Sequence, residues 1–313
     1  MGLSAMNVLA LPFALPLALV IDAWWGEPRR WHPLVGFGMC ANFIEKLLNV
    51  GGHRIARGCV AWCVLVVPLV LAGYILQRAL AQHTLLSIVV STLILYLAIG
   101  QQSLREHARA VATSLRADDL SQARHALALM VSRDTHTLDH DDVSKATVES
   151  VLENGSDAVV ASLFWFAVAG IPGVLLHRAV NTLDAMWGYR NVRFNEFGRI
   201  AARVDDVLNF IPPRITACAY ALVGATANAL RCWHTQGRTW SSPNAGPVMA
   251  AGAGALQLEL GGAAAYHGEI EQRPLLGRGR AAQQHDIERA LQLLKRSVWL
   301  IAFVLVVLML AVF

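Results

Sequence analysis

Ala158–Leu176 reads AVVASLFWFAVAGIPGVLL, and the fold turns on what this run does. Its 19 residues come close to the ~20 that a membrane-spanning helix needs. Gly170-Ile171-Pro172-Gly173 sits inside it, however, and such a sequence cannot continue as an undisturbed helix. If the run crossed fully, His177–Arg214 with its six arginines would be translocated against the positive-inside rule. A broken helix at membrane depth is tolerated where its freed backbone groups are buried in protein or line a cavity. The run is therefore read as a re-entrant element that enters and leaves the bilayer on one side. Ile215–Leu230, interrupted by Gly224, is read as a second one.

The rest of the chain sets this run in a membrane protein. Of 313 residues, 55% are hydrophobic and only 15% charged, against roughly a quarter charged in soluble domains. Further apolar runs occupy 6–21, 59–76, 84–100 and 298–313. The expected class is all-α, a polytopic integral membrane protein with short and re-entrant helices plus amphipathic cytoplasmic helices. With no solenoid repeat, low-complexity tract or long linker, 1–313 is expected to form a single membrane-embedded domain. The net charge of +4 is dispersed through the loops without a Lys/Arg block, so no nucleic-acid footprint is present. The five cysteines form no C-x-x-C and are read as small hydrophobes.

No Lys or Arg precedes the first run, and it leads into Asp22-Ala-Trp-Trp rather than a small-residue cleavage site, which argues against a cleaved signal peptide. Arg29 and Arg30 place the loop that follows in the cytoplasm, with Trp24, Trp25 and Trp31 at headgroup level. Runs 59–76 and 84–100 form a helical hairpin. In the segment after it, Ala108, Val111, Ala112 and Leu115, then Ala123, Leu127 and Met130, recur at helical spacing between arginines and predict amphipathic helices. Residues 231–296 are polar and Gly/Ala-rich; the small residues there serve helix packing or ligand approach.

Two polar strings flank the central run. On a helix capped by Asp141 or Asp142, Lys145, Glu149, Glu153 and Asp157 follow at i,i+4 and share one face. Beyond the run come Arg178, Asn181 and Asp184, then Arg199, Arg203, Asp206 and Asn209. Both strings are read as walls of one polar site beside a membrane. Neither a P-loop nor a dinucleotide fingerprint is present, nor H-E-x-x-H nor G-x-S-x-G. His136 and His140 lie four apart among aspartates, but no second ligand set with metal-site spacing follows. Arginine grips phosphate or carboxylate bidentately, and clustered carboxylates are hard ligands for Mg²⁺ on a nucleotide's phosphates. For each residue alone, a solvated face or a surface ion pair is the competing reading.

These strings resemble the cobalamin-biosynthesis membrane proteins of the CbiB/CobD type, the adenosylcobinamide-phosphate synthases. The resemblance runs from Asp22 to about Gly277. It is carried by Gly26, Pro28 and His32-Pro33; by Arg133-Asp134-Thr135; by Thr147-Val148-Glu149, Glu153-Asn154 and Asp157. It continues through Arg178, Asn181-Thr182, Asp184, Gly188-Tyr189-Arg190-Asn191, Phe197-Gly198, Arg203, Asp205-Asp206, Asn209 and Pro212 to Ser242-Pro243-Asn244-Ala245-Gly246. The family's Gly-Asp-Pro is here Gly26-Glu27-Pro28, one methylene longer.

The resemblance implies an ATP-dependent ligase that joins the propionate of adenosylcobyric acid, a cobalt-containing corrinoid, to an aminopropanol or its phosphate through an amide. On residue type, Glu149, Glu153, Asp157 and Asp184 are expected to carry catalysis, with Glu149, Glu153 and Asp184 as Mg²⁺ ligands. Arg133, Asp134, Thr135, Asn154, Arg178, Asn181, Arg190, Arg203, Asp206, His32 and Asn244 are expected to hold substrate. The expected location is the bacterial inner membrane with the site facing the cytoplasm, and the lipid bilayer, copies of the chain or other pathway enzymes are the candidate partners. Two other classes compete. A transporter would use broken helices for a midplane site, but no repeat halves are visible; a non-catalytic scaffold would gather soluble enzymes at the membrane.

Overall fold

The structure is a computed structural model and describes residues 10–28, 32–266 and 269–312. Arg29, Arg30 and Trp31, used above for orientation and for the interfacial belt, lie outside the described residues, as does the first run before residue 10. Among the described residues four helical stretches are long and apolar enough to cross a membrane: Arg54–Gln82, Thr84–Arg116, His140–Trp187 and Gln284–Ala311. The all-α polytopic expectation holds, with one small sheet added. The chain divides into two compact units, each assembled from separate stretches.

The first unit takes residues 1–100, 161–209 and 302–313. Its helices are α1 (Ala10–Trp25), α2 (Pro33–Leu48), α3 (Arg54–Ala79), α4 (Thr84–Ala98), α8 (Ala161–Trp187) and α9 (Arg199–Leu208). α1 packs on α4, and α3 on α8 and α9. Ala41, Ala61, Val180, Leu183, Trp187 and Phe197 form its buried centre, where the Trp187 and Phe197 rings meet edge to face at 5.0 Å. That contact anchors the loop between α8 and α9.

The central run reverses direction inside this unit. Gly170 has φ +65° and ψ −141°, a conformation that side chains with a Cβ rarely adopt. Across this break the Ser162 Oγ lies 3.4 Å from His177 Nδ1, whereas 15 residues of straight helix would separate them by ~22 Å. Gly173 is packed so tightly against the Trp165 carbonyl that a Cβ would overlap it. The amide freed at Ile171 donates to Gln77 Oε1 of α3 at 2.7 Å, so the break is satisfied from within the protein, as burial demands. The apolar arm Ala161–Ala169 extends only ~14 Å, less than half of a ~30 Å hydrocarbon core.

The second unit takes residues 101–160 and 210–301. It contains α5 (Gln101–Arg116), α6 (Leu120–Ala128), α7 (His140–Asn154), a π-helical turn at Gly155–Val160, α10 (Pro212–Val223), α11 (Thr226–Gln236), α12 (Ala245–Leu256) and the start of α13 (Gln284–Val312). α5 and α6 bury Ala108, Val111, Ala112, Leu115, Ala123 and Leu127, the stripe their spacing predicts. α12 is buried along its whole length. Its Gly252 meets Leu152 and its Gly254 meets the Ala229 backbone, so both glycines serve helix packing.

The break expected at Gly224 is present, and one expectation is corrected here. Residues 215–230 belong to two helices, α10 and α11, parted at Gly224, whose neighbour Ala225 donates its amide to the Ala255 carbonyl at 3.0 Å. Neither helix reaches membrane length. The Gly/Ala-rich segment after α12 is extended: β1 (Leu258–Tyr266) pairs antiparallel with β2 (Glu269–Gly277) and parallel with the short β3 (Arg280–Ala281). A bulge at Gly261/Gly262 shifts the register, and both glycines have positive φ.

Candidate functional site

In the second unit, Glu149 is the centre of a buried ion cluster. The N-cap of α7 is Asp139, not Asp141 or Asp142, and the Asp139 carboxylate accepts from the Asp142 amide at 2.9 Å. Three turns on, Glu149 points into the protein with its side chain 3% exposed. Its Oε1 accepts from the Gly261 amide at 2.7 Å and from Arg273 Nη2 at 3.3 Å. Its Oε2 accepts from Arg273 Nη1 at 3.1 Å and from Arg133 Nη2. Only the bulge, with Gly261 at φ +83°, turns that amide towards the carboxylate. Arg273 also donates from Nε to the Gly262 carbonyl at 3.1 Å and lies over the Trp240 ring.

Glu153, one turn beyond, faces the charges of Glu149, Arg133 and Arg273. The expected ladder stops there. The π-helical turn at Gly155–Val160 breaks the i,i+4 register and sets Asp157 beside the buried Tyr220. π-turns inside helices occur often at functional sites. Asn154 is exposed and donates to Ser150 Oγ. Asp134 donates its backbone amide to the Ala265 carbonyl of β1, and Thr135 is buried. Asn244 stands at the N-cap position of α12 and accepts from Arg214 at 3.1 Å, while Ser242 Oγ accepts from the Asn244 and Ala245 amides. The Ser-Pro-Asn-Ala-Gly loop is thus a tightly fixed turn.

In the first unit the second string collects three carboxylates. Asp184 on α8 feels the charges of Asp205 and Asp206 on α9. Burial pushes Asp205 up to about 6, opposed by hydrogen bonds from Asn209 and Asn181 and reinforced by Asp206. Burial also raises Asp206, against the pull of Arg190. Asn209 Nδ2 donates to Asp205 at 3.0 Å, and Arg178 Nη1 donates to Asn181 Oδ1 at 3.3 Å. Arg178 in turn faces the charge of Glu27, the residue that stands where the family pattern has aspartate. His32 caps α2, accepting at Nδ1 from the Leu34 amide, with Nε2 at 3.3 Å from Glu27. Arg203 is exposed.

Each string therefore belongs to its own unit: Arg133, Glu149 and Glu153 to the second, Arg178, Asn181, Asp184, Arg190 and Asp206 to the first. Sequence reasoning missed Arg273 and Gly261, which complete the Glu149 cluster. Glu269-Ile-Glu-Gln-Arg273 holds a single apolar residue and has no period-2 pattern, so its sequence carries no strand signal.

The two clusters differ in how they suit Mg²⁺. Among the described residues no three His, Cys, Asp or Glu side chains gather as an all-protein cation site would require. Mg²⁺ on a nucleotide needs only one or two carboxylates, the remaining positions being water and phosphate. Glu149 does not fit that role, because both oxygens are committed to guanidinium and amide donors. Asp184 and Asp206 fit it better, since Asp184, besides being buried, faces the negative charges of Asp205 and Asp206.

In a helical membrane protein, arginine-held and clustered carboxylates of this kind mark a candidate functional site. Residues 15–294 match the family described as CobD/Cbib protein, and the chain belongs to that family of cobalamin biosynthesis proteins. It is 56% identical to the cobalamin biosynthesis protein CobD of Stutzerimonas stutzeri (strain A1501) over 91% of this chain and 94% of the relative. It is 51% identical to that of Chromobacterium violaceum over 91% and 93%, and 38% identical to that of Mycobacterium tuberculosis H37Rv over 88% and 89%. No solved structure matches the chain.

Proposed function

We propose that this protein is an ATP-dependent adenosylcobinamide-phosphate synthase. It would join the propionate of adenosylcobyric acid to the amine of an aminopropanol or its phosphate, at the cytoplasmic face of the bacterial inner membrane. The observation that carries the reading is the Glu149 cluster: one buried carboxylate holds Arg133 and Arg273 rigid, in a chain of the cobalamin family.

A carboxylate does not form an amide with an amine until it is activated. In the simplest route a propionate oxygen attacks the γ-phosphorus of ATP, ADP leaves, and an acyl phosphate forms. The amine then attacks the acyl carbon, phosphate departs, and the amine's surplus proton passes to a base. Preorganised guanidiniums stabilise the phosphoryl oxygens in such steps. Arg133 and Arg273 are oriented for this by Glu149, which acts as a positioning residue. Arg178, Arg190 and Arg203 would bind further anionic groups of the substrates. Asp184 and Asp206 would hold Mg²⁺, which when bound supplies positive charge to anionic substrate groups.

The test is direct. Purified protein in detergent receives adenosylcobyric acid, aminopropanol phosphate and MgATP, and mass spectrometry follows the corrinoid. The reading predicts one amide product per ADP released. An unchanged corrinoid under conditions where the protein is folded, or product without nucleotide consumption, would contradict it.

A further inference from the structure

The second unit carries a basic cavity that none of the residues above touches. Its volume is ≈ 710 Å³, and it is lined by Asn228, Gln257, Arg278, Arg280, His285 and Arg289, with Leu256 and Gly279. Beneath it Asp286, with no exposed side-chain surface, fixes two of the three arginines. Its oxygens accept from Arg280 Nη1 and Nη2 at 2.7 and 2.8 Å and from Arg289 Nη1 at 2.6 Å. Arg289 Nη2 also donates to the Leu256 carbonyl. Arg280 Nη2 lies 2.7 Å from His285 Nε2; because guanidinium only donates, Nε2 accepts, and the imidazole proton is on Nδ1. The Nε–H groups of Arg280 and Arg289 make no hydrogen bond among the described residues, and both side chains are about two-fifths exposed (43% and 42%).

Arg278 completes the wall. Its guanidinium is exposed and likewise makes no hydrogen bond among the described residues. The turn that presents it is tightly closed, for a Cβ on Gly279 would overlap the Gln257 carbonyl. Asp286 accounts for the placement of Arg280 and Arg289 but balances only one of three guanidinium charges. The surplus faces the cavity. A planar fork with free N–H groups matches the oxygens of a phosphate, and ≈ 710 Å³ lies within the range of small-molecule sites, roughly 300–1,000 Å³.

We propose that this cavity is a phosphate-binding site, in which Arg278, Arg280, Arg289 and the Nδ1–H of His285 hold the phosphate group of a ligand. The group could be supplied by a soluble polyphosphate or by an anionic lipid headgroup, because α13 turns apolar from Val298 onward. The site does not depend on the synthase reading.

The test uses the full chain carrying Arg278→Gln with His285→Gln. Both side chains are exposed, and Asp286 keeps Arg280 and Arg289, so the thermal midpoint is expected to match wild type. Arg116→Gln, which removes the same charge elsewhere, is the control. One arm measures binding of inorganic tripolyphosphate to protein in neutral detergent. The other measures enrichment of phosphatidylglycerol over phosphatidylcholine in nanodiscs. Loss of one charged and one neutral donor is expected to weaken one of the two by at least about tenfold, with the control unchanged. Loss in the first arm identifies a soluble ligand and loss in the second a lipid. Wild-type behaviour of the double variant in both arms, or an equal loss in the control, overturns the proposal. Amide formation by the same preparations reports on the synthase reading separately.

Discussion

Glu149 and Asp184 are both carboxylates on helices of a membrane protein, yet their surroundings are opposite. Glu149 is enclosed by two guanidiniums and a backbone amide, so its charge is satisfied inside the protein. Asp184 faces two further carboxylates. Glu149 can give nothing to a ligand without releasing the arginines it holds, and it serves by holding them. Asp184 gains from any cation that arrives. A row of acidic residues read from sequence thus separates into one that organises arginine and one for which we propose a metal ion.

The largest expected effect breaks the first half of this contrast. Glu149→Gln leaves Arg133 and Arg273 buried without their counter-charge, and breaking a buried ion pair from one side costs about 3–5 kcal/mol. Chemical denaturation in detergent should show that loss, with product formation abolished in whatever fraction stays folded. Unchanged stability would mean that Glu149 is not the centre of a compensated cluster. Asp184→Asn should do the reverse: full stability, because it relieves repulsion, and turnover lowered about a hundredfold, the scale of losing one electrostatic contact to the reacting phosphoryl group. Normal turnover would remove Asp184 from the metal site.

How far these residues were legible depended on whether the chain stays local and regular. The reversal at Gly170 could be read because glycine and proline interrupt an apolar run, and the amphipathic stripe of α5 because its period is helical. Glu149 was legible as a polar face on α7, but its partners were not. Arg273 lies 124 residues away on a strand whose hairpin partner is mostly glycine and alanine, which have little β propensity, and the Gly261 amide leaves no side-chain signal. Asp157 was misplaced because the i,i+4 ladder assumed an unbroken α-helix, and the π-turn changes the register at Gly155.

Smaller effects sharpen the picture of the first unit. Gly170→Ala puts a side chain on a residue at φ +65° and against the Gln77 amide group, so it should destabilise that unit by about 1–3 kcal/mol, seen as an earlier loss of tryptophan fluorescence on heating. Stability equal to wild type would argue against the sharp reversal. Glu45→Gln tests the ion pair that pins the loop after α8. Arg193 holds the Glu45 carboxyl below its ordinary range through a hydrogen bond, although burial opposes this. A lowered acid contributes stability that is present above its unfolded value and lost as pH falls through the folded one. The variant should therefore lose about 1 kcal/mol or less at neutral pH, in line with a partly exposed pair. Unfolding midpoints of variant and wild type should converge as the pH falls below the ordinary glutamate range.

The division of labour between the two carboxylates is the central claim, and cation binding tests it most directly. Mn²⁺ can stand in for Mg²⁺ and be counted by electron paramagnetic resonance in the presence of ADP, using wild type, Asp184→Asn and Glu149→Gln that elute at native size. The account predicts that Asp184→Asn weakens Mn²⁺ binding by at least about tenfold, equivalent to roughly 1.4 kcal/mol, while Glu149→Gln leaves it unchanged. Weakened binding in Glu149→Gln with wild-type binding in Asp184→Asn would contradict it.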